Sequence, residues 1–158
     1  MLFNRRYPPH HPMVDQDYRS NILLLTLCTK HRQPVRANRF VEELLLKGWL
    51  PSENWTVGKY VVLPDHIHLF CTPTLGGRSR LACWVASWKS FVTKNWRDSP
   101  LRPLWQRSFW DRQMRSEEDY SSRCTYILQN PVRHHLVQNS EEWPFRGEVH
   151  KIVWHDRR

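Results

Sequence analysis

Residues 61–70 read VVLPDHIHLF, an apolar run on each side of Pro64-Asp65 with two histidines one residue apart. Pro-Asp forms turns because proline presets φ and aspartate hydrogen-bonds to the backbone that follows it. The chain is therefore expected to fold back here, with Trp55 to Leu63 (WTVGKYVVL) and Ile67 to Thr72 as two strands of an antiparallel hairpin. His66 opens the second strand. Side chains on a strand alternate between faces, so His66 and His68 share one face while Ile67 points the other way, into the core. Two imidazoles on one face can grip a metal. Taken alone, H-x-H describes two surface histidines equally well. The apolar residues around this pair set it in a sheet, where two polar rings on one face point to function.

On either side of the hairpin the patterns switch between strand and helix. Asn21 to Thr29 (NILLLTLCT) is a short apolar run of strand length. A basic loop, Lys30 to Arg36, leads to a helix over about Asn38 to Leu50, with Phe40, Val41, Leu44, Leu45 and Leu46 as its apolar stripe. After Gly76-Gly77, the segment Arg80 to Arg97 places Leu81, Trp84, Val85, Trp88, Val92 and Trp96 at helical spacing. Leu104 to Met114 has the mixed aromatic pattern of an edge strand. Ser116 reads as an N-cap, followed by Glu117, Glu118 and Asp119 where the helix dipole favours negative charge. This last helix is expected to stop near Gln129 or Asn130, because Pro131 pushes the residue before it out of helical dihedrals. The expected organisation is an N-terminal arm (1–20), one folded domain (21–137) and a C-terminal tail (138–158).

A chain of 158 residues with 40% hydrophobic and 13% aromatic content can bury a core without disulfides or a structural metal. Its 24 Lys+Arg against 15 Asp+Glu give a net charge of +9, which suits a polyanionic partner better than an acidic small molecule. Cys28, Cys71, Cys83 and Cys124 contain no C-x-x-C pair, which argues against a zinc ribbon or a thioredoxin-like site. They read as reduced, mostly buried thiols. No signal-peptide pattern and no apolar run of spanning length is present, so a cytoplasmic, nucleoid-associated protein with no membrane partner is expected.

Of the five tyrosines, Tyr120 and Tyr126 lie on the last helix. Tyr120 falls in register with Cys124, Ile127 and Leu128, the core stripe. Tyr126 lies about 240° around the wheel, with Ser122, Arg123, Gln129 and Asn130. A tyrosine on a polar helix face can do chemistry; an amphipathic side chain at the surface is the competing reading.

Three stretches together, VVLPDHIHLF, LWQRSFWDRQMRSEEDY (104–120) and TYILQNPVRHHLV (125–137), resemble the single-tyrosine HUH transposases, specifically the REP-associated tyrosine transposases. The resemblance runs from about Asn21 to Trp143. It implies an α+β fold, a ferredoxin-like (RRM-like) antiparallel sheet flanked by helices, with the histidine pair on a central strand. It implies a metal-dependent single-stranded DNA endonuclease and strand transferase acting on hairpin repeat DNA through a 5′-phosphotyrosine intermediate. Tyr126 would be the nucleophile, and His66, His68 and Asn130 the ligands of Mg²⁺ or Mn²⁺.

For DNA contacts the expected residues are Lys30, Arg32, Arg36, Lys89, Ser90, Thr93, Arg97, Gln106, Arg107, Arg112 and Arg115, each of which could instead belong to a solvated face. Trp105 and Trp110 are candidates for stacking on unpaired bases, whereas Trp84 and Trp88 read as packing. Competing functions are a hairpin DNA or RNA binding protein without chemistry, a replication initiator or relaxase, and a zinc-stabilised RNA-binding module. The resemblance favours a monomer, with a dimer as the alternative.

Overall fold

The computed structural model describes residues 20–35, 37–51, 53–74 and 80–156. Its elements follow the order β1 (Leu23–Cys28), α1 (Arg39–Trp49), β2 (Trp55–Val62), β3 (His66–Pro73), α2 (Leu81–Asn95), β4 (Trp110–Gln113), α3 (Glu117–Arg133) and β5 (Arg146–Glu148). The strands make one antiparallel sheet in the order β4-β1-β3-β2-β5, so β3 is central. Its first four strands and two helices have the β-α-β-β-α-β order of a ferredoxin-like fold, and the expected α+β class holds.

Strand alternation sorts the side chains into two cores. Leu23, Leu25 and Leu27 of β1 and Ile67, Leu69 and Cys71 of β3 face α1 and α2, where they join Leu45, Trp49, Val85 and Trp88. The other face of the sheet holds Leu24, Val61 and Phe70 beneath Tyr120, Cys124 and Ile127 of α3. A ferredoxin-like sheet whose helices all lay on one side would leave this face to solvent; here α3 covers it. Among the described residues no helix is long and apolar enough to cross a membrane. Cys28, Cys71 and Cys124 are buried thiols, while Cys83 is exposed.

Two expectations are corrected. The last helix does not stop before Pro131 but runs through it to Arg133. Proline there removes a single i to i−4 bond, and the buried underside of α3 outweighs that loss. Termination comes instead from a Schellman-type end: Leu136 N donates to Pro131 O, and His135 N to Val132 O, with His135 in the left-handed region at φ 57°. The segment expected as a tail also packs on the sheet. β5 pairs with β2, Trp143 Nε1 donates to Val62 O at 3.0 Å, and Trp154 is buried in the α3-side core. A Cβ on Gly58 would meet Ile152 Cδ1 at 2.7 Å, so this segment passes close over β2 at the glycine and a larger residue there would displace the Ile152 side chain. Apart from Ser20, the arm expected over residues 1–20 lies outside the described residues.

Trp154→Ala is expected to cost about 3–5 kcal/mol in urea unfolding, the usual range for emptying a buried aromatic site. A change below about 0.5 kcal/mol, the range of ordinary surface substitutions, would mean that the segment is only loosely attached.

Candidate active site

His66 and His68 are both buried on the α3 side of β3, with ring centroids 4.8 Å apart, while Ile67 enters the opposite core. Each ring is held through Nδ1. His66 Nδ1 meets Asp65 Oδ1 at 2.6 Å, and His68 Nδ1 lies 2.9 Å from Thr26 Oγ1, its neighbour across the β1–β3 ladder. A carboxylate only accepts, so His66 must carry its proton on Nδ1; either atom of the His68–Thr26 bond can donate, and the second ring takes the same tautomer when its Nδ1 is the donor. Both Nε2 lone pairs are then left for another partner, the usual outcome when a second residue fixes a ligand histidine.

Electrostatics reinforce this state. Burial, followed by the charges of His66, His134 and Arg32, pushes His68 down to about 3, so the ring is neutral at physiological pH. Burial would raise the Asp65 carboxyl, but the hydrogen bond and charge of His66, together with Arg32 at 3.0 Å, hold it below the usual carboxylate range.

α3 runs antiparallel along this side of β3. Its Tyr120 ring lies edge-on to Phe70, with centroids 5.0 Å apart, and its C-cap residue His134 reaches His66 at 5.3 Å. Tyr126 and Asn130 fall on the stretch between these contacts. Tyr126 is 36% exposed, and its hydroxyl has no hydrogen-bond partner among the described residues. Tyr60 and Tyr120 donate to Glu42 Oε1 and Ile152 O, and burial raises both phenols above their ordinary value. Tyr126 is thus the one described tyrosine that is exposed with its hydroxyl unpartnered. Asn130, grouped with the polar face by sequence, is buried instead, and its amide nitrogen approaches Tyr126 O at 3.4 Å.

Among the described residues no group of three or more His, Cys, Asp or Glu could hold a metal ion. The donors that fit one are the two Nε2 atoms, with Asn130 a buried amide on α3 one turn before the His134 contact. A site with two imidazoles needs oxygen ligands from an amide, solvent or a phosphate to complete it.

No family profile matches the chain. It is 33% identical over 89 residues to the REP-associated tyrosine transposase of Escherichia coli K12, covering 56% of this chain and 52% of that protein. A Haemophilus influenzae protein assigned to the same family is 30% identical over 103 residues, covering 58% and 57% of the two chains. In sequence, the chain is similar to REP-associated tyrosine transposases. It spans a little over half the length of these curated relatives. The solved structure of the REP-associated tyrosine transposase bound to a REP hairpin has the same fold, with a TM-score of 0.68 over 100% of this chain and 98% of that one, at 20% identity.

The expected DNA-contact residues do not form one surface with the histidines. Lys89 is buried among the side chains under α2, with Nζ donating to Gln106 O at 3.0 Å, and burial lowers it to about 8. Thr93 is turned back onto Lys89 O. Ser90 and Arg97 are exposed on α2 and just beyond its end, on the sheet face opposite α3. Arg32 is bound to Asp65 and Cys28, and Arg112 to Asp119. Lys30 and Gln106 are half-buried, Arg107 and Arg115 are exposed, and Arg36 lies outside the described residues. Trp105 packs edge-on to Trp88, with centroids 5.8 Å apart, and Trp110 is half-buried at the start of β4.

Four residues near the site escape sequence reasoning. Thr26 stands out only as the lone polar residue in LLLTLC, and Asp65 reads as a turn former. Arg133 and His134 fall beyond a helix that Pro131 is expected to end.

Because His68 has a folded value below its unfolded one, its contribution to stability is present above about pH 6.5 and is lost as pH falls toward about 3. Wild-type protein is expected to lose urea stability between about pH 7 and about pH 4.5. His68→Gln should lose less over that interval, and an equal loss would assign the acid sensitivity to other groups.

Proposed function

We propose that the chain is a metal-dependent tyrosine enzyme that breaks and rejoins single-stranded DNA beside a hairpin, through a 5′-phosphotyrosine link. The observation that carries this reading is the seating of α3 along β3: one exposed tyrosine lies on the helix that packs beside two histidines with open Nε2 atoms. Similarity to REP-associated tyrosine transposases supports the reaction class, and the hairpin-bound solved structure supports the partner. α3 packs on the sheet of its own chain, which favours a monomer.

In this reading Tyr126 Oη attacks the scissile phosphorus. The P–Oη bond forms as the bond to the 3′ oxygen breaks; the phenolic proton passes to solvent, and the leaving oxygen takes up a proton to become a free 3′-hydroxyl. Religation is the reverse, with that hydroxyl attacking phosphorus and restoring the tyrosine. A bound Mg²⁺ or Mn²⁺ would offset charge on a nonbridging oxygen and polarise phosphorus. His66, His68 and Asn130 would hold the ion. Asp65 and Thr26 orient the histidines, and the turn Pro64-Asp65 fixes Asp65 beside the ring it holds.

Wild type and Tyr126→Phe are compared on end-labelled single-stranded hairpin DNA in Mn²⁺, Mg²⁺ or EDTA, using denaturing gels. The expected result is a protein–DNA adduct formed by wild type alone and abolished by EDTA. Mobility-shifted DNA without an adduct, across hairpins of its own genome, would instead mean a binding protein. By calorimetry, Asp65→Asn should weaken Mn²⁺ binding by roughly tenfold to a hundredfold, the usual cost of losing a residue that orients a ligand. Unchanged affinity would remove Asp65 from the site.

A further inference from the structure

Tyr126 is flanked by two arginines of its own helix. Arg133 Cζ lies 4.2 Å from the ring centroid and Arg123 Cζ 5.5 Å. Residues three before and seven after a helical position fall within about 60° of it on the wheel, so the three side chains form one ridge. Among the described residues neither guanidinium has a carboxylate partner or a hydrogen bond. Arg32 and Arg112, by contrast, are neutralised by Asp65 and Asp119. Two like charges converging on one ring repel each other, and an anion arriving there relieves the repulsion. A guanidinium held over a ring without a hydrogen-bond partner keeps N–H donors free, and its planar fork matches phosphate oxygens.

We propose that Arg123 and Arg133 form a phosphate clamp around Tyr126. The clamp takes the nonbridging oxygens of the single-stranded DNA phosphodiester that reaches the phenol, and holds the phosphate after it has become a tyrosine ester. This rests on the reading of Tyr126 as nucleophile. The arginines hold charge and position, and no proton moves through them.

The test compares wild type with Arg133→Met, Arg133→Lys and the double variant Arg123→Met/Arg133→Met. Methionine keeps an apolar group against the ring and removes the charge; urea midpoints check that each variant folds. Two quantities are read: the dependence of single-stranded hairpin DNA affinity on salt in EDTA, and the single-turnover rate of adduct formation in Mn²⁺. The double variant is expected to lower the log–log salt slope by about 0.7 for each phosphate that the arginines no longer hold. Arg133→Met should slow adduct formation roughly tenfold to a hundredfold, with Arg133→Lys between it and wild type. An unchanged salt slope in the double variant overturns the clamp, as does a full adduct rate in Arg133→Met. If wild type forms no adduct, the proposed reaction fails, and the salt slope still decides whether the arginines hold phosphate.

Discussion

The seating of α3 along the His66, His68 and Phe70 side of β3 governs the rest of the site. Phe70 meets Tyr120 at one end of this contact and His66 meets His134 at the other, with Ile127 fully buried between them. Without the helix, the two histidines would sit on an open, hydrated sheet face. Under it, desolvation keeps His68 neutral, Thr26 and Asp65 take the Nδ1 atoms, and each ring keeps one open nitrogen. The same helix carries the exposed tyrosine, so the element that covers the histidines also sets Tyr126 on its outer face.

This arrangement trades stability for readiness. A buried polar ring is tolerated when its hydrogen-bonding atoms are satisfied, and here one nitrogen of each histidine is left without a protein partner. Similar accounting applies to Lys89, which is buried with a single backbone carbonyl for Nζ and is correspondingly depressed. The two cases differ in consequence. Lys89 is enclosed beneath α2 on the face away from α3, whereas the histidines lie under the helix that carries a tyrosine and two arginines without carboxylate partners. Unpartnered imidazole nitrogens, uncompensated cations and one exposed phenol hydroxyl are the groups that the proposed phosphodiester substrate would meet. The curated relatives align with just over half of this chain, and the likeness to the hairpin-bound structure extends over all of it as fold.

Much of this is legible in residue order. Period-two alternation around Pro64-Asp65 determines the hairpin and puts His66 and His68 on one face, because a strand allows no other placement of residues two apart. Ser116 announces α3 as an N-cap, and the structure adds Asn38 as the cap of α1, each side chain accepting a hydrogen bond from the first turn. The 3.6-residue period separates buried Tyr120 from outward Tyr126. These are local rules, decided by a few neighbouring residues.

What residue order leaves open depends on partners distant in the chain. Pro131 is a local stop signal, overridden because α3 gains more from burying Ile127 and Pro131 than one missing hydrogen bond costs. That extension turns Asn130 inward and carries Arg133 to Tyr126 and His134 to His66. The C-terminal segment, which reads as a tail for want of a long apolar run, is held by β5 pairing with β2 and by Trp154 entering a core built from other elements. Lys89 looks like part of a solvated helix face until Gln106 and Phe109 close over it. The sequence alone therefore determined β1 to β4, the three helices apart from the end of α3, and the candidate histidines and tyrosine. Only the tertiary structure decided which polar groups are buried, paired or left open, because burial and charge compensation are set by segments brought together from far apart in the chain.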